Sequence, residues 1–254
     1  MLIHTRGNGG IKNGVERTDK WLEEEYEHPI QICKKIIKEE GKEAENLYRY
    51  LQKFGMYRPH LFGKKTISLL IEANIWRTID HLYQKYRKKW NGPDIPVYIF
   101  PLAGQMRAEK KSGLSFPDKM FLFLTPIENI KELEALFIHE YHHICRMRNN
   151  KKKPADITLI DSLIMEGLAE HMVKEICGGD YLAPWVSYYS QEELEECWNA
   201  YVEKNLHAKK YEKEHDRILF GERGYPPLIG YAIGYEIIKQ YKKKFVLSES
   251  NTFT

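Results

Sequence analysis

Apolar positions recur at helical spacing from Thr18 to about Tyr57. Trp21, Ile30, Ile32, Cys33, Ile36, Ile37, Leu47 and Leu51 form stripes in a polar background, and Pro29 and Gly41 break them. A longer helix is predicted from about Thr66 to Trp90, on Ile67, Leu70, Ile75, Ile79, Leu82 and Tyr86, and Gly92–Pro93 turns the chain after it. The pattern changes at Ile95. Ile95 to Leu102 is short, apolar and bounded by turn residues, which predicts a strand. Ala103 to Ser112 is polar and basic and predicts a loop. Leu114 to Leu124 predicts a second strand, with Pro117 favouring an edge position or a bulge. Helical spacing returns over about 128–147 and again over about 157–176, where Gly178–Gly179 stops it. Ser190 and Glu193 form a capping box for a third helix that continues past Trp198, and Pro226–Pro227 precede a last helix over about 228–243.

The expected architecture is α+β and mainly helical, with a small β-sheet. Residues 1–16, rich in Gly and Asn, read as a flexible tail, 17–92 as an N-terminal helical region and 93–254 as the region that carries the chemistry. The length suffices for a substantial core, and 43% hydrophobic with 30% charged residues marks a folded chain rather than a disordered one. The 39 basic and 36 acidic residues nearly cancel, so the charge gives no reason to expect a nucleic-acid partner. Cys33, Cys145, Cys177 and Cys197 show no C-x-x-C spacing. With no apolar leader and no run long enough to span a bilayer, these point to a cytoplasmic protein without an integral membrane segment.

Residues 139–143 read His-Glu-Tyr-His-His and fit H-E-x-x-H. On a helix, residues four apart lie one above the other, so His139 and His143 can turn nitrogens to one Zn²⁺ ion. Glu140 sits about 100° round the helix, where it can reach a water on the metal without ligating it. Ile130, Leu133, Phe137, Tyr141 and Ile144 form the opposite, packing face; His142 falls on neither and reads as a surface or second-layer histidine. The composition alone produces such a match in roughly one chain in twenty, so a further feature is needed. The following helix supplies it in Asp161 to His171, DSLIMEGLAEH. Gluzincins take their third ligand from a Glu on a following helix, and Glu166 occupies such a place. Gly167 beside it would let the two zinc helices approach closely. Glu170, on the same face as Glu166, could accept a hydrogen bond from the far nitrogen of a ligand histidine. The metzincin and inverted zinc motifs are absent, and Cys145 points to another face of the helix from the histidines.

HEYHHICR, an aliphatic run into EGLAEH, and GYAIGYEI near the C-terminus together resemble the YjaZ-like family of predicted zinc-dependent proteases, over roughly residues 95–243. The resemblance implies a gluzincin-type peptidase domain with one zinc per chain, His139, His143 and Glu166 as ligands, Glu140 as general base, and a peptide or protein as substrate. In Gly230-Tyr-Ala-Ile-Gly-Tyr the glycines form one notch and Tyr231 and Tyr235 one ridge. The tyrosines are either core residues or donors to the oxyanion of the reaction, with His171 and His215 as the next candidates. The strand at Leu114 to Leu124 is either the docking edge for an extended peptide, as in related peptidases, or an ordinary core strand. Two other readings of the same residues are a non-catalytic zinc-containing interaction module, including a degenerate peptidase scaffold, and a small-ester or amide hydrolase.

Overall fold

The computed structural model describes residues 14–38, 41–60, 64–103, 110–127, 129–150, 152–245 and 252–253. The chain divides into two compact units, Met1–Glu140 and Tyr141–Thr254. The first holds strand β1 (Gly14–Val15), helices α1 (Thr18–Glu25), α2 (Pro29–Ile37), α3 (Lys42–Lys53), α4 (Lys65–Glu72) and α5 (Ile75–Lys89), strands β2 (Pro96–Pro101), β3 (Lys111–Phe116) and β4 (Lys119–Leu124), and the start of α6 (Ile130–Asn149). The second holds the rest of α6, then α7 (Leu159–Cys177), α8 (Gln191–Cys197), α9 (Lys213–Phe220) and α10 (Ile229–Lys244). The fold is thus α+β and mainly helical. Among the described residues no helix is long and apolar enough to cross a membrane, and all four cysteines are buried.

The four strands run in the order β1-β2-β4-β3. β2 is parallel to both β1 and β4, and β3 is antiparallel to β4. β2 and β4 are buried along their whole length, which is why they read as continuous apolar runs rather than alternating ones. β3 lies at the edge and stays half-exposed. Leu114 to Leu124 is therefore not one strand. Pro117 and Asp118 form the turn of a hairpin between β3 and β4, where the missing N–H of proline costs no ladder bond. The hairpin also takes in Lys111 and Ser112 from the expected loop; residues 104–109 of that loop lie outside the described ones.

Three more differences separate the structure from the expected pattern. Asn74 adopts a left-handed conformation (φ 52°) and splits the single helix expected over Thr66 to Trp90 into α4 and α5. Gly14–Val15, expected in a flexible tail, pairs with Pro96 and Val97, and Thr18 just beyond donates its hydroxyl to the Ile99 carbonyl at 2.6 Å. The structure also contains α9, which lacks a long apolar stripe. The breaks at Pro29 and Gly41 separate α1, α2 and α3.

In the second unit α7 starts at a capping box between Thr158 and Asp161 and ends at Gly178 (φ 101°), and α8 starts at the expected box of Ser190 and Glu193. α7 and α10 cross closely. A Cβ on Gly167 would run into the Gly234 carbonyl, and one on Gly234 into the Leu163 carbonyl. Gly167 therefore admits α10 and not, as expected, the other histidine-bearing helix. Gly230 serves a different neighbour: its Cβ would stand 2.6 Å from Leu219 Cα on α9.

Candidate metal centre

Burial orients α6. Leu133, Phe137, Tyr141 and Ile144 are 0–1% exposed and form its packed back. Ile130, expected on that face, is instead 61% exposed, because it is the first residue of the helix. In the first unit Phe137 packs against Tyr83 and Tyr86 of α5, and Glu134 accepts from the Tyr86 hydroxyl at 2.7 Å. Held in this way, α6 cannot rotate without exposing aromatic core.

His139, Glu140 and His143 emerge away from that back. His139, His143 and Glu166 each offer one ligand atom, and these atoms lie within 4.8 Å of one another; the trio is the single such group among the described residues. His143 Nε2 is 3.3 Å from Glu166 Oε2, and both side chains are 8% exposed. Donors each about 2.1 Å from a tetrahedral zinc would stand about 3.4 Å apart. Two imidazoles and a carboxylate fit Zn²⁺ in chemistry, the His143–Glu166 pair stands near that spacing, and three donors leave a fourth position open. Cys145 does not join them: it is buried, and burial pushes its thiol pKa up to about 12.

Glu140 is directed elsewhere. Its carboxylate lies against β3, where Ser115 Oγ is 2.6 Å from Oε2. Across the same strand, Oε1 occupies the space a Cβ on Gly113 would need. Neither Ser115 nor Gly113 is singled out by the sequence motifs. The signal that could have found them is two small residues at i and i+2, which share one face of a strand.

Glu170 is 2% exposed, and its Oε1 accepts from the Ala183 N–H at 2.6 Å, so it anchors the turn after α7. His142 is fully buried, not at the surface. Its Nε2 is 3.1 Å from Thr252 Oγ1 and its ring 5.1 Å from that of Phe253, while Arg146 donates to the Thr252 carbonyl at 3.0 Å.

Tyr231 packs edge-on against Trp185 at 5.3 Å and near Phe220 at 6.0 Å. Tyr235 stacks on His171 at 4.2 Å and lines a cleft of about 320 Å³ with Lys174, Tyr189 and Lys239, to which none of the three ligand candidates contributes. His171 and His215, the alternative donors, are both engaged. His171 Nε2 is 3.0 Å from the Tyr235 carbonyl, and burial lowers its pKa to about 4. His215 lies 2.9 Å from Ser162 Oγ and 2.7 Å from Asp216 Oδ1. That order looks like a hydrolase triad. With Ser162 4% and His215 0% exposed, however, no substrate can reach it, and the contacts tie α7 to α9.

The family model described as "Predicted Zn-dependent protease (DUF2268)" matches residues 75–253, a span that contains every residue of the candidate centre. "Uncharacterized protein YjaZ" of Bacillus subtilis (strain 168) is 34% identical over 237 residues, covering 89% of this chain and 90% of that protein. "Uncharacterized protein YjfC" of the same organism is 22% identical over 201 residues, covering 70% of this chain and 66% of that one. No solved structure matches. By the span of that model and its likeness to YjaZ, the chain belongs to the YjaZ-like family of predicted zinc-dependent proteases.

Proposed function

We propose that this chain is a zinc metallopeptidase of the gluzincin type, with His139, His143 and Glu166 as the ligands of one zinc ion and Glu140 as general base. The observation that carries the reading is the division of roles along one turn of α6. Two histidines join Glu166 in a compact donor set, while the carboxylate between them stays outside it and is held by β3. A structural zinc is usually closed by four protein ligands, and three suit a site that must admit water. Bound zinc would lower the pKa of that water to about 7 and polarise the scissile carbonyl. Glu140 takes a proton from the attacking water and passes it to the leaving amine. An extended substrate adds to the edge strand β3, whose outer side pairs with no other strand among the described residues. This shifts the docking edge from Leu114 to Leu124 to β3, Lys111–Phe116.

Zinc content and peptide cleavage, measured together, test the proposal. Wild-type protein should hold one zinc per chain and cleave members of a diverse peptide library read by mass spectrometry. His139→Ala, His143→Ala and Glu166→Ala should lose both metal and cleavage. Glu140→Gln should keep the zinc and lose cleavage. Glu170→Ala, if Glu170 also steadies a ligand histidine, should weaken zinc affinity about 10–100-fold without abolishing it. A Glu140→Gln variant that cleaves at the wild-type rate would remove Glu140 from the chemistry.

A further inference from the structure

A general base must present one oxygen to the water, and a glutamate has two oxygens on a side chain with three rotatable bonds. Around Glu140 the two are in different surroundings. Oε2 is 2.6 Å from Ser115 Oγ, within the range of a hydroxyl donating to a charged oxygen. The Ser115 hydroxyl also lies 2.9 Å from the Glu140 backbone carbonyl. It has one proton, and the nearer, charged acceptor takes it. Oε1 lies over Gly113, where any side chain would overlap it, and Glu140 as a whole is 7% exposed. Gly113 has no left-handed φ, so glycine stands there for space and not for backbone conformation. Residues 113 and 115 face the same side of β3, so one strand both supplies the donor and leaves the gap.

We propose that Ser115 is a positioning residue for Glu140: its hydroxyl ties Oε2 to the edge strand, and the side-chain-free surface of Gly113 leaves Oε1 as the oxygen that exchanges the proton. The idea rests on the metallopeptidase reading and adds to it that β3 orients the base as well as the substrate. A hydrogen bond to a charged group, lost from the transition state, corresponds to about a ten- to hundredfold fall in rate.

The experiment sets Ser115→Ala, Ser115→Thr, Gly113→Ala and Glu140→Gln beside the zinc-loaded wild type. Ser115→Ala should lower kcat about ten- to hundredfold, with KM within a few-fold of wild type and zinc content unchanged. Ser115→Thr, which keeps the hydroxyl on a residue suited to a strand, should restore most of the rate. Gly113→Ala should lower kcat with Ser115 intact, and if it fails to fold, the two serine variants still decide. A second readout needs no turnover: denaturant unfolding of Ser115→Ala, Glu140→Gln and the double variant should be non-additive. Strict additivity, or a Ser115→Ala kcat equal to wild type while Glu140→Gln is inactive, overturns the positioning role and leaves the peptidase reading standing. A wild type that holds zinc but cleaves nothing overturns both.

Discussion

At the scale of single residues, the histidines of this chain show how one side chain takes different roles from its surroundings. His139 and His143 share a donor set with Glu166, His142 between them is buried against Thr252 and Phe253, and His171 is stacked on Tyr235. The pattern of α6 separated the first two from His142 because four residues nearly close a turn. It could not place His142, whose partners lie 110 residues on at the C-terminus. His171 has a measurable signature. Its folded pKa is lowered to about 4 by burial, against an ordinary value of 6.5. Between these values the unfolded chain binds a proton that the folded chain refuses, so stability is complete above about pH 6.5 and falls as the pH drops toward 4. Urea unfolding of metal-free protein should show this loss in the wild type, and His171→Gln should flatten it. Equal pH dependence in the two proteins would show that His171 titrates normally.

At the scale of elements, the crossing of α7 and α10 decides where the notch of the last helix goes. Gly234 meets the backbone of α7 and Gly230 that of α9, so the two glycines serve two partners. A Cβ at Gly234 would overlap the Leu163 carbonyl, which is backbone and cannot swing aside. Gly234→Ala should therefore cost about 1–3 kcal/mol, the usual range for overpacking, read as a lower urea midpoint. The tyrosine ridge of the same helix gives a second prediction. Tyr235 faces His171 and a cleft without the ligand candidates, Tyr231 packs against Trp185 and Phe220, and of the two we propose Tyr231 as the oxyanion donor. Tyr231→Phe should lower kcat about 10²–10³-fold with zinc retained, and Tyr235→Phe should have a smaller effect. If both turn over normally, neither phenol is the donor. The capping boxes and proline breaks of the helices were legible in the sequence because they act within a turn. The β3–β4 hairpin was not, because Pro117 fits an edge, a bulge or a turn equally well until the pairing of Lys111 with Leu124 is known.

At the scale of the whole molecule, zinc bound only by the folded chain adds to its stability by mass action. A hundredfold excess over Kd contributes about 2.7 kcal/mol, and a chain of this size gains about 2–4 °C per kcal/mol. Chelation should thus lower Tm by on the order of 5–10 °C. His143→Ala should remove the response, whereas Glu140→Gln should keep it. A wild-type Tm indifferent to chelator and to added zinc would speak against a resident metal.

What the sequence determined by itself was whatever depends on neighbours within a turn or two: the helix stripes and caps, the i,i+4 pair His139 and His143, and the placing of Glu140 off their face. Local geometry alone sets these, through 3.6 residues per turn. The choice of Glu166 as third donor drew on likeness to a family as well as on spacing. Tertiary structure decided the rest. It turned Leu114 to Leu124 into a hairpin, gave Gly167 to α10, buried His142 under the C-terminus and set Ser115 and Gly113 against Glu140. Each of these contacts joins segments 25 or more residues apart or depends on a strand partner, as the 25-residue separation of Ser115 and Glu140 illustrates. Hydrophobic periodicity reports which face of an element is covered, but not by what. The partner is chosen by packing the whole chain, where a missing Cβ or a single hydroxyl decides which backbone or carboxylate can approach.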